Sequence, residues 1–435
     1  MTAFVFPPFE NHNGHLALEN VDLIDLMDKM GSPLLVVSED KIRENYRKLD
    51  RAFRRRYSKF SVRYAVKSYP NLAVISILRQ EGAGTDCSTP EEIRISNMAG
   101  IAHKDIAFTP NNAHKSELQY GIEKGVAINF DDIPQMRLVK DSLPEVVSFR
   151  VNPGVGGGEF PGIVTAGPKA KFGIPVNLVV DAFREAKGYG AKKFGMQMMA
   201  GSNVLDWKHF DAVTKAYFDL AGKVSGELDI QFQYLDIGGG FGVPYREGQV
   251  ELDLEKAASC IVDNLRNACS KYGMEEPILM VEPGRSMVSN SAVLLGKVTN
   301  VKSYDKTFVG TDIGMNLLLR PALYGAFHHI VIANDLDREI RGEVDVVGQI
   351  CESTDKIGKD ILFPRAEAGD TVAVFNAGAY VSSMSSNYNG HLKPAEVLVG
   401  KKNVSVIRNA ETPLDLVKGM VVPEHLKDQR YEKCA

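Results

Sequence analysis

Apolar positions along this chain fall into short β-rich runs separated by stretches of helical periodicity. The runs are VRYAVK (62–67), GTDCS (84–88), IAFTP (106–110), VAINFD (126–131), VVSFRVNP (146–153), FGMQMMAGS (194–202), YLDIGGG (234–240) and ILMVEPG (278–284). Between them lie amphipathic segments such as NLAVISILRQEG (71–82), TPEEIRISNMAG (89–100) and HKSELQYGIEKG (114–125), each ending at a glycine suited to a helix C-cap. Eight strands alternating with helices are what a closed parallel (β/α)8 barrel requires.

From about residue 289 the pattern changes. AVLLGKVTNVKSY (292–304), KTFVGTDIG (306–314), EVDVVGQI (343–350), DTVAVFNAG (370–378) and PAEVLVG (394–400) read as strands with few helices between them, so a β-rich domain follows the barrel. The apolar segment in SPLLVVSED (32–40) precedes the first long helix and, on periodicity alone, fits either domain. The expected division is a barrel over 40–288 and a β-rich domain made of 1–39 and 289–435.

A length of 435 residues exceeds what one hydrophobic core sustains, which agrees with two domains. The net charge of -4, with both signs interspersed, gives no basic stripe and argues against a nucleic-acid partner. No run of eighteen apolar residues and no basic-then-apolar leader occurs, so neither a membrane span nor an export signal is expected. Cys87, Cys260, Cys269, Cys351 and Cys434 form no CxxC pair, and an odd count suits a reducing, cytoplasmic compartment. The adjacent His328 and His329 would face opposite sides of a strand without a carboxylate cluster, so no metal is expected.

In a barrel enzyme the chemistry sits at the carboxyl ends of the strands, and the candidate groups fall there. Lys67 ends the first strand and Asp86 the second; Ser202 follows the sixth, the glycines 238–240 the seventh, and Glu282 ends the eighth. Glycines after a strand let backbone amides approach a phosphate, although a tight turn would use them equally well. Glu282 follows the apolar run ILMV and needs a cation or a hydrogen bond to stay charged; Arg285 or a protonated pyridine nitrogen would serve. A lysine able to lose its proton, a glycine cradle and a strand-end carboxylate together describe a pyridoxal phosphate site.

Seven ordered segments make the resemblance specific: YAVKSYPN, GTDCSTPEE, GGGFGVPY, VEPGRSMV, DIGMNLLLRPALYGAFH, ICESTDKIGKD and NAGAYVSSMSSNYN. Over residues 30–410 the chain resembles the diaminopimelate decarboxylases, members of the fold-type III pyridoxal phosphate enzymes with ornithine decarboxylase and alanine racemase. The resemblance implies an alanine-racemase-type barrel, a β domain that includes the first N-terminal strand, and a homodimer with active sites at the interface. It implies that Lys67 forms the Schiff base, that Glu282 partners the ring nitrogen, and that Asp86 and Met199 lie against the cofactor. Ser202, Gly240, Gly284 and the Tyr380 hydroxyl would hold the phosphate, Gly239 and Arg285 would also bind the cofactor, and Tyr380 would reach the substrate as well. Arg285, Arg320 and Tyr324 would bind the distal carboxylate of the substrate; Cys351 and Glu352, from the partner subunit, would supply the general acid and the contact to the distal ammonium. The expected reaction is decarboxylation at a D-configured carbon, meso-diaminopimelate giving L-lysine and carbon dioxide in lysine biosynthesis.

Three departures from the family pattern keep alternatives open. Met199 stands where the family usually has a histidine stacked on the cofactor; Gly390 and His391 replace a Ser-Arg pair; and the 154–174 loop is unusually rich in glycine, as a mobile specificity loop would be. They leave room for a decarboxylase of a siderophore or antibiotic pathway acting on a larger or carrier-bound amino acid, or for a non-catalytic regulatory homologue. A racemase would need a second acid/base across the ring, and the sequence identifies none.

Overall fold

The computed structural model describes residues 3–154, 157–158, 167, 170–199, 201–400 and 403–427. Eight parallel strands, Phe60–Ala65, Gly84–Cys87, Ile106–Phe108, Ala127–Phe130, Val146–Asn152, Lys193–Met198, Phe232–Asp236 and Ile278–Val281, pair in sequence order. The eighth returns to the first through Leu279 opposite Phe60 and Val281 opposite Val62, which closes the barrel. Both faces of these strands are covered, so nearly every position in them is buried, the polar Arg63, Asp86, Arg150, Gln197 and Asp236 included. The glycines expected to stop the helices do so: Gly82, Gly100 and Gly125 have φ of 109°, 88° and 67°, in the left-handed region that costs glycine nothing.

The second body is a sheet running Lys356–Pro364, Ile340–Val347, Thr307–Thr311, Ala292–Ser303, Leu34–Ser38, Ala395–Gly400 and Asn403–Arg408, with Thr371–Val374 and Ile330–Ile332 attached to it. Leu34–Ser38 therefore belongs to this sheet, antiparallel to 292–295 and parallel to 395–399. Its alternation joins the two bodies. Leu35 and Val37 pack into the core shared with the barrel, while Leu34 and Val36 pack into a separate core with Leu16, Val293 and Phe375.

Three strands of this sheet, Ile330–Ile332, Lys356–Pro364 and Asn403–Arg408, and the small N-terminal sheet at residues 10–22, were not marked by the apolar pattern. Lys356–Pro364 is interrupted by Gly358 and by Asp360 at a φ of 50°, and Asn403–Arg408 is largely exposed, so neither shows an apolar run. Glu396 ties the sheet to the barrel: Oε2 accepts from Tyr69 Oη at 2.7 Å and from Asn71 Nδ2 at 2.9 Å. These two donors lie immediately beyond Lys67, so the sheet braces the segment that carries the lysine. No helix among the described residues is long and apolar enough to cross a membrane.

Candidate active site

Lys67 lies in a single 3-10 turn, Val66–Ser68, at the mouth of the first barrel strand. Its Nζ donates to Asp86 Oδ2 at 3.3 Å, at the end of the second strand. Burial works against the ammonium, but the Asp86 carboxylate in contact with it outweighs that penalty and raises the lysine above its ordinary range. To act as a nucleophile the amine must shed that proton, and Asp86 is the acceptor already in contact with it.

Glu282 is 5% exposed and reaches the same space from the eighth strand. Its Oε2 accepts from Gln197 Nε2 at 2.8 Å, whereas Oε1 is buried and finds no hydrogen-bond partner among the described residues. Burial, reinforced by Asp236 and Asp86, pushes the Glu282 carboxyl well above the carboxylate range. Asp236 is raised as well, to about 7, chiefly by burial and against the 2.8 Å hydrogen bond that Oδ1 accepts from Gly238 N–H. A cationic N–H donor arriving at Oε1 would reverse the balance at Glu282 and let it ionise.

Around these groups runs a cavity of about 340 Å³ lined by Lys67, Gln197, Met199, Ser202 and Glu282 on one side and Arg285, Arg320, Tyr324 and Tyr380 on the other. Gly239 passes so close to the eighth strand that a Cβ there would lie 2.4 Å from the Glu282 carbonyl oxygen. Gly240 follows at a φ of 95°, and a Cβ at Gly284 would press on Ser68 at 3.1 Å. Tyr380 holds a φ of 59°, uncommon for a tyrosine, and its N–H donates to the Ser68 carbonyl at 2.9 Å. The strained backbone thus fixes its phenol at the cavity wall beside Arg285, whose guanidinium lies 5.0 Å from the Tyr380 ring.

Met199 lines the cavity, and its Sδ accepts from Gly239 N–H at 3.1 Å. Gly239 therefore contributes room at this point, with its amide already engaged by the thioether. Arg285 Nη1 and Arg320 Nη1 converge on the Tyr245 hydroxyl, and Tyr324 stands beside Met384.

Cys351 and Glu352 are not brought to this cavity. They are exposed in the loop after Ile340–Val347, where Cys351 Sγ lies 3.4 Å from Asn389 Oδ1 and 4.0 Å from Tyr388 Oη. Tyr388 Oη donates to Glu352 Oε1 at 2.6 Å, and its contacts with Glu352 and Cys351 push the phenol up to about 12. Three polar groups with acid/base capacity thus face solvent in a single copy of the chain.

Residues 39–289 match the family described as pyridoxal-dependent decarboxylase, pyridoxal binding domain. The diaminopimelate decarboxylase of Methanothermobacter thermautotrophicus is 41% identical, over 97% of this chain and 99% of its own length. This chain belongs to the pyridoxal-dependent decarboxylases. The decarboxylase is also 37% identical to the diaminopimelate decarboxylase of Thermoplasma acidophilum, over 93% of this chain and 97% of the relative. Its fold superposes on the crystal structure of diaminopimelate decarboxylase from M. jannaschii in co-complex with L-lysine with a TM-score of 0.89 at 32% identity, covering 97% and 99% of the two chains.

The decarboxylase uses pyridoxal phosphate, and its own residues fit that group. Lys67 offers the amine, and Glu282 Oε1 is an acceptor with no donor among the described residues. Gly239 and Gly240 leave space where any Cβ would collide or strain, and Ser202 and Tyr380 present hydroxyls to the same cavity. Sequence reasoning did not single out Arg150, Gln197, Tyr245 or Tyr388. The signal for the first two was available: each is a long polar residue set between apolar neighbours inside a barrel strand, and both line the cavity. His328 is no metal ligand in this arrangement, because Arg320 and the Phe375 carbonyl occupy its two ring nitrogens. Most of the 154–174 loop and Cys434 lie outside the described residues.

Proposed function

We propose that the decarboxylase removes the carboxylate at the D-configured carbon of meso-diaminopimelate, giving L-lysine and carbon dioxide. The observation that carries this reading is one cavity that joins Lys67 and Glu282 to two buried guanidiniums, those of Arg285 and Arg320. Two guanidiniums at one cavity wall suit a substrate that brings a carboxylate besides the one it loses. The names of the relatives, and the lysine bound to the M. jannaschii protein, support the same substrate class.

Bound pyridoxal phosphate supplies a ring that accepts the electron pair left when carbon dioxide departs. Lys67 bonds the cofactor, with Asp86 beside its amine. Glu282 would hold the ring nitrogen through Oε1, with Asp236 and Asp86 adding negative potential at that carboxylate. Met199 would pack against the cofactor, and Ser202, Gly240, Gly284 and Tyr380 would hold its phosphate. Arg285, Arg320 and Tyr324 bind the distal carboxylate. Cys351 would be the proton donor for the decarboxylated carbon, and Glu352 would hold the distal ammonium.

Cys351 and Glu352 act from a second copy of the chain, so the working unit is a homodimer with composite sites. Their exposure, away from the cavity of their own chain, supports this arrangement. The two domains divide near residues 40 and 289, a division supported by the family match over 39–289. A cytoplasmic setting suits the free thiols of Cys87, Cys260, Cys269 and Cys351.

Incubating the cofactor-loaded protein with meso-diaminopimelate, and assaying lysine and carbon dioxide together, tests the reading. Equimolar appearance of both is expected. If neither forms while the cofactor stays bound, the substrate is another amino acid and the assignment fails. Glu282→Gln is expected to lower the rate roughly a hundredfold, the scale of losing one preorganised charge contact. The cofactor should remain bound through Lys67 with an altered absorption spectrum; a rate within about twofold of wild type would remove Glu282 from the mechanism.

A further inference from the structure

Tyr245 is 1% exposed and makes no direct contribution to the cavity lining, yet both cavity arginines end on it. Its hydroxyl oxygen accepts from Arg285 Nη1 at 2.7 Å and from Arg320 Nη1 at 3.2 Å. With its lone pairs engaged, the O–H must donate elsewhere, and Ser289 Oγ lies 2.9 Å away. Ser289 in turn donates to the Asn376 carbonyl at 3.2 Å, so the direction of every bond in the chain is determined.

Arg320 has a second fixed partner. Its Nη1 lies 2.8 Å from His328 Nε2, and His328 Nδ1 lies 2.9 Å from the Phe375 carbonyl. A carbonyl can only accept, so the proton sits on Nδ1 and Nε2 is a bare acceptor for the guanidinium. Burial, then the charge of Arg320, drive the imidazole down to about 3, which keeps it neutral. The Tyr245 ring adds to the restraint, with the guanidinium carbons of Arg320 and Arg285 at 5.1 and 5.7 Å from its centroid. Two like charges that would otherwise repel are thereby held against one oxygen.

We propose that Tyr245, backed by Ser289 and assisted by His328, is a positioning residue that sets the spacing of Arg285 and Arg320 and so makes the cavity selective for substrates ending in a second carboxylate. This rests on the function proposed above. Tyr245 does not line the cavity and acts through the two arginines, so its loss should appear in substrate affinity far more than in turnover.

The test is steady-state kinetics of the Tyr245→Phe holoenzyme, which keeps the ring and removes the oxygen. KM for meso-diaminopimelate should rise roughly tenfold to a hundredfold, as for loss of a hydrogen bond to a charged group, with kcat within about threefold. The inhibition constant of D-lysine, which lacks the second carboxylate, should stay within about twofold, and the cofactor absorption spectrum should not change. His328→Leu, which removes one acceptor from Arg320 alone, should raise KM in the same sense and carries the test if Tyr245→Phe does not fold. An unchanged KM in an active variant overturns the proposal, as does a parallel loss of kcat and cofactor absorbance at constant KM, which would mark a structural role. A wild-type protein that holds its cofactor but does not turn over meso-diaminopimelate overturns the functional reading, and this inference with it.

Discussion

Lys67→Ala is expected to abolish decarboxylation, by on the order of a thousandfold or more, and to leave the cofactor free to leave on gel filtration. Two separate functions are lost. The amine that bonds the cofactor is gone, and buried Asp86, whose Oδ2 accepts from Lys67 and whose Oδ1 has no partner among the described residues, is left without its cation. Lys67→Arg separates them. A guanidinium restores the charge beside Asp86 but stays protonated at any working pH and forms no bond to an aldehyde. The arginine variant should therefore be as inactive as the alanine variant while melting at a higher temperature, because only the alanine variant leaves the carboxylate unpaired. Activity in either variant above about one per cent of wild type would remove Lys67 from the reaction.

The same residue shows how far the sequence carried the fold and the site. Parallel barrel strands are buried on both faces, so they stand out as apolar runs, and the polar residue that ends each run points into the shared mouth. That geometry is why Lys67, Asp86 and Glu282 were legible although they lie on three strands far apart in the chain. The arginine clamp was legible only in part: Arg285 and Arg320 were identified through the family motifs, but Tyr245 lies 40 and 75 residues from them, and no local pattern reports such a pairing. Met199 was read as packing on the cofactor; it does line the cavity, while its bond to Gly239 N–H depends on two loops meeting, which spacing does not encode. In the β-rich body, Lys356–Pro364 escaped notice because Gly358, Lys359 and Asp360 break up its apolar residues, and Asn403–Arg408 because it is short and mostly exposed.

Cys351 has the second large expected effect. Cys351→Ala should cost roughly a hundredfold to a thousandfold in turnover, the range for loss of a positioned acid, while leaving the cofactor bound. In one copy of the chain the thiol is exposed and sits with Tyr388, Glu352 and Asn389 away from the cavity, so it has no route to the substrate of its own subunit. That separation makes the loss repairable. Mixed with Lys67→Ala, which retains Cys351 but has no working lysine, Cys351→Ala should regain activity, because a mixed dimer pairs the intact Lys67 of one chain with the intact Cys351 of the other. Random exchange places half of the dimers in the mixed state with one complete site each, so recovery should approach about a quarter of wild-type activity. No recovery, with exchange demonstrated by a tagged subunit, would mean that Cys351 acts within its own chain or not at all. Tyr388→Phe sharpens the same argument, since the phenol donates to Glu352 and stands beside the thiol. If the exposed group works as a unit at a neighbouring subunit's site, this variant should also be rescued by Lys67→Ala, because every residue it disturbs lies on the side of the interface that the partner supplies.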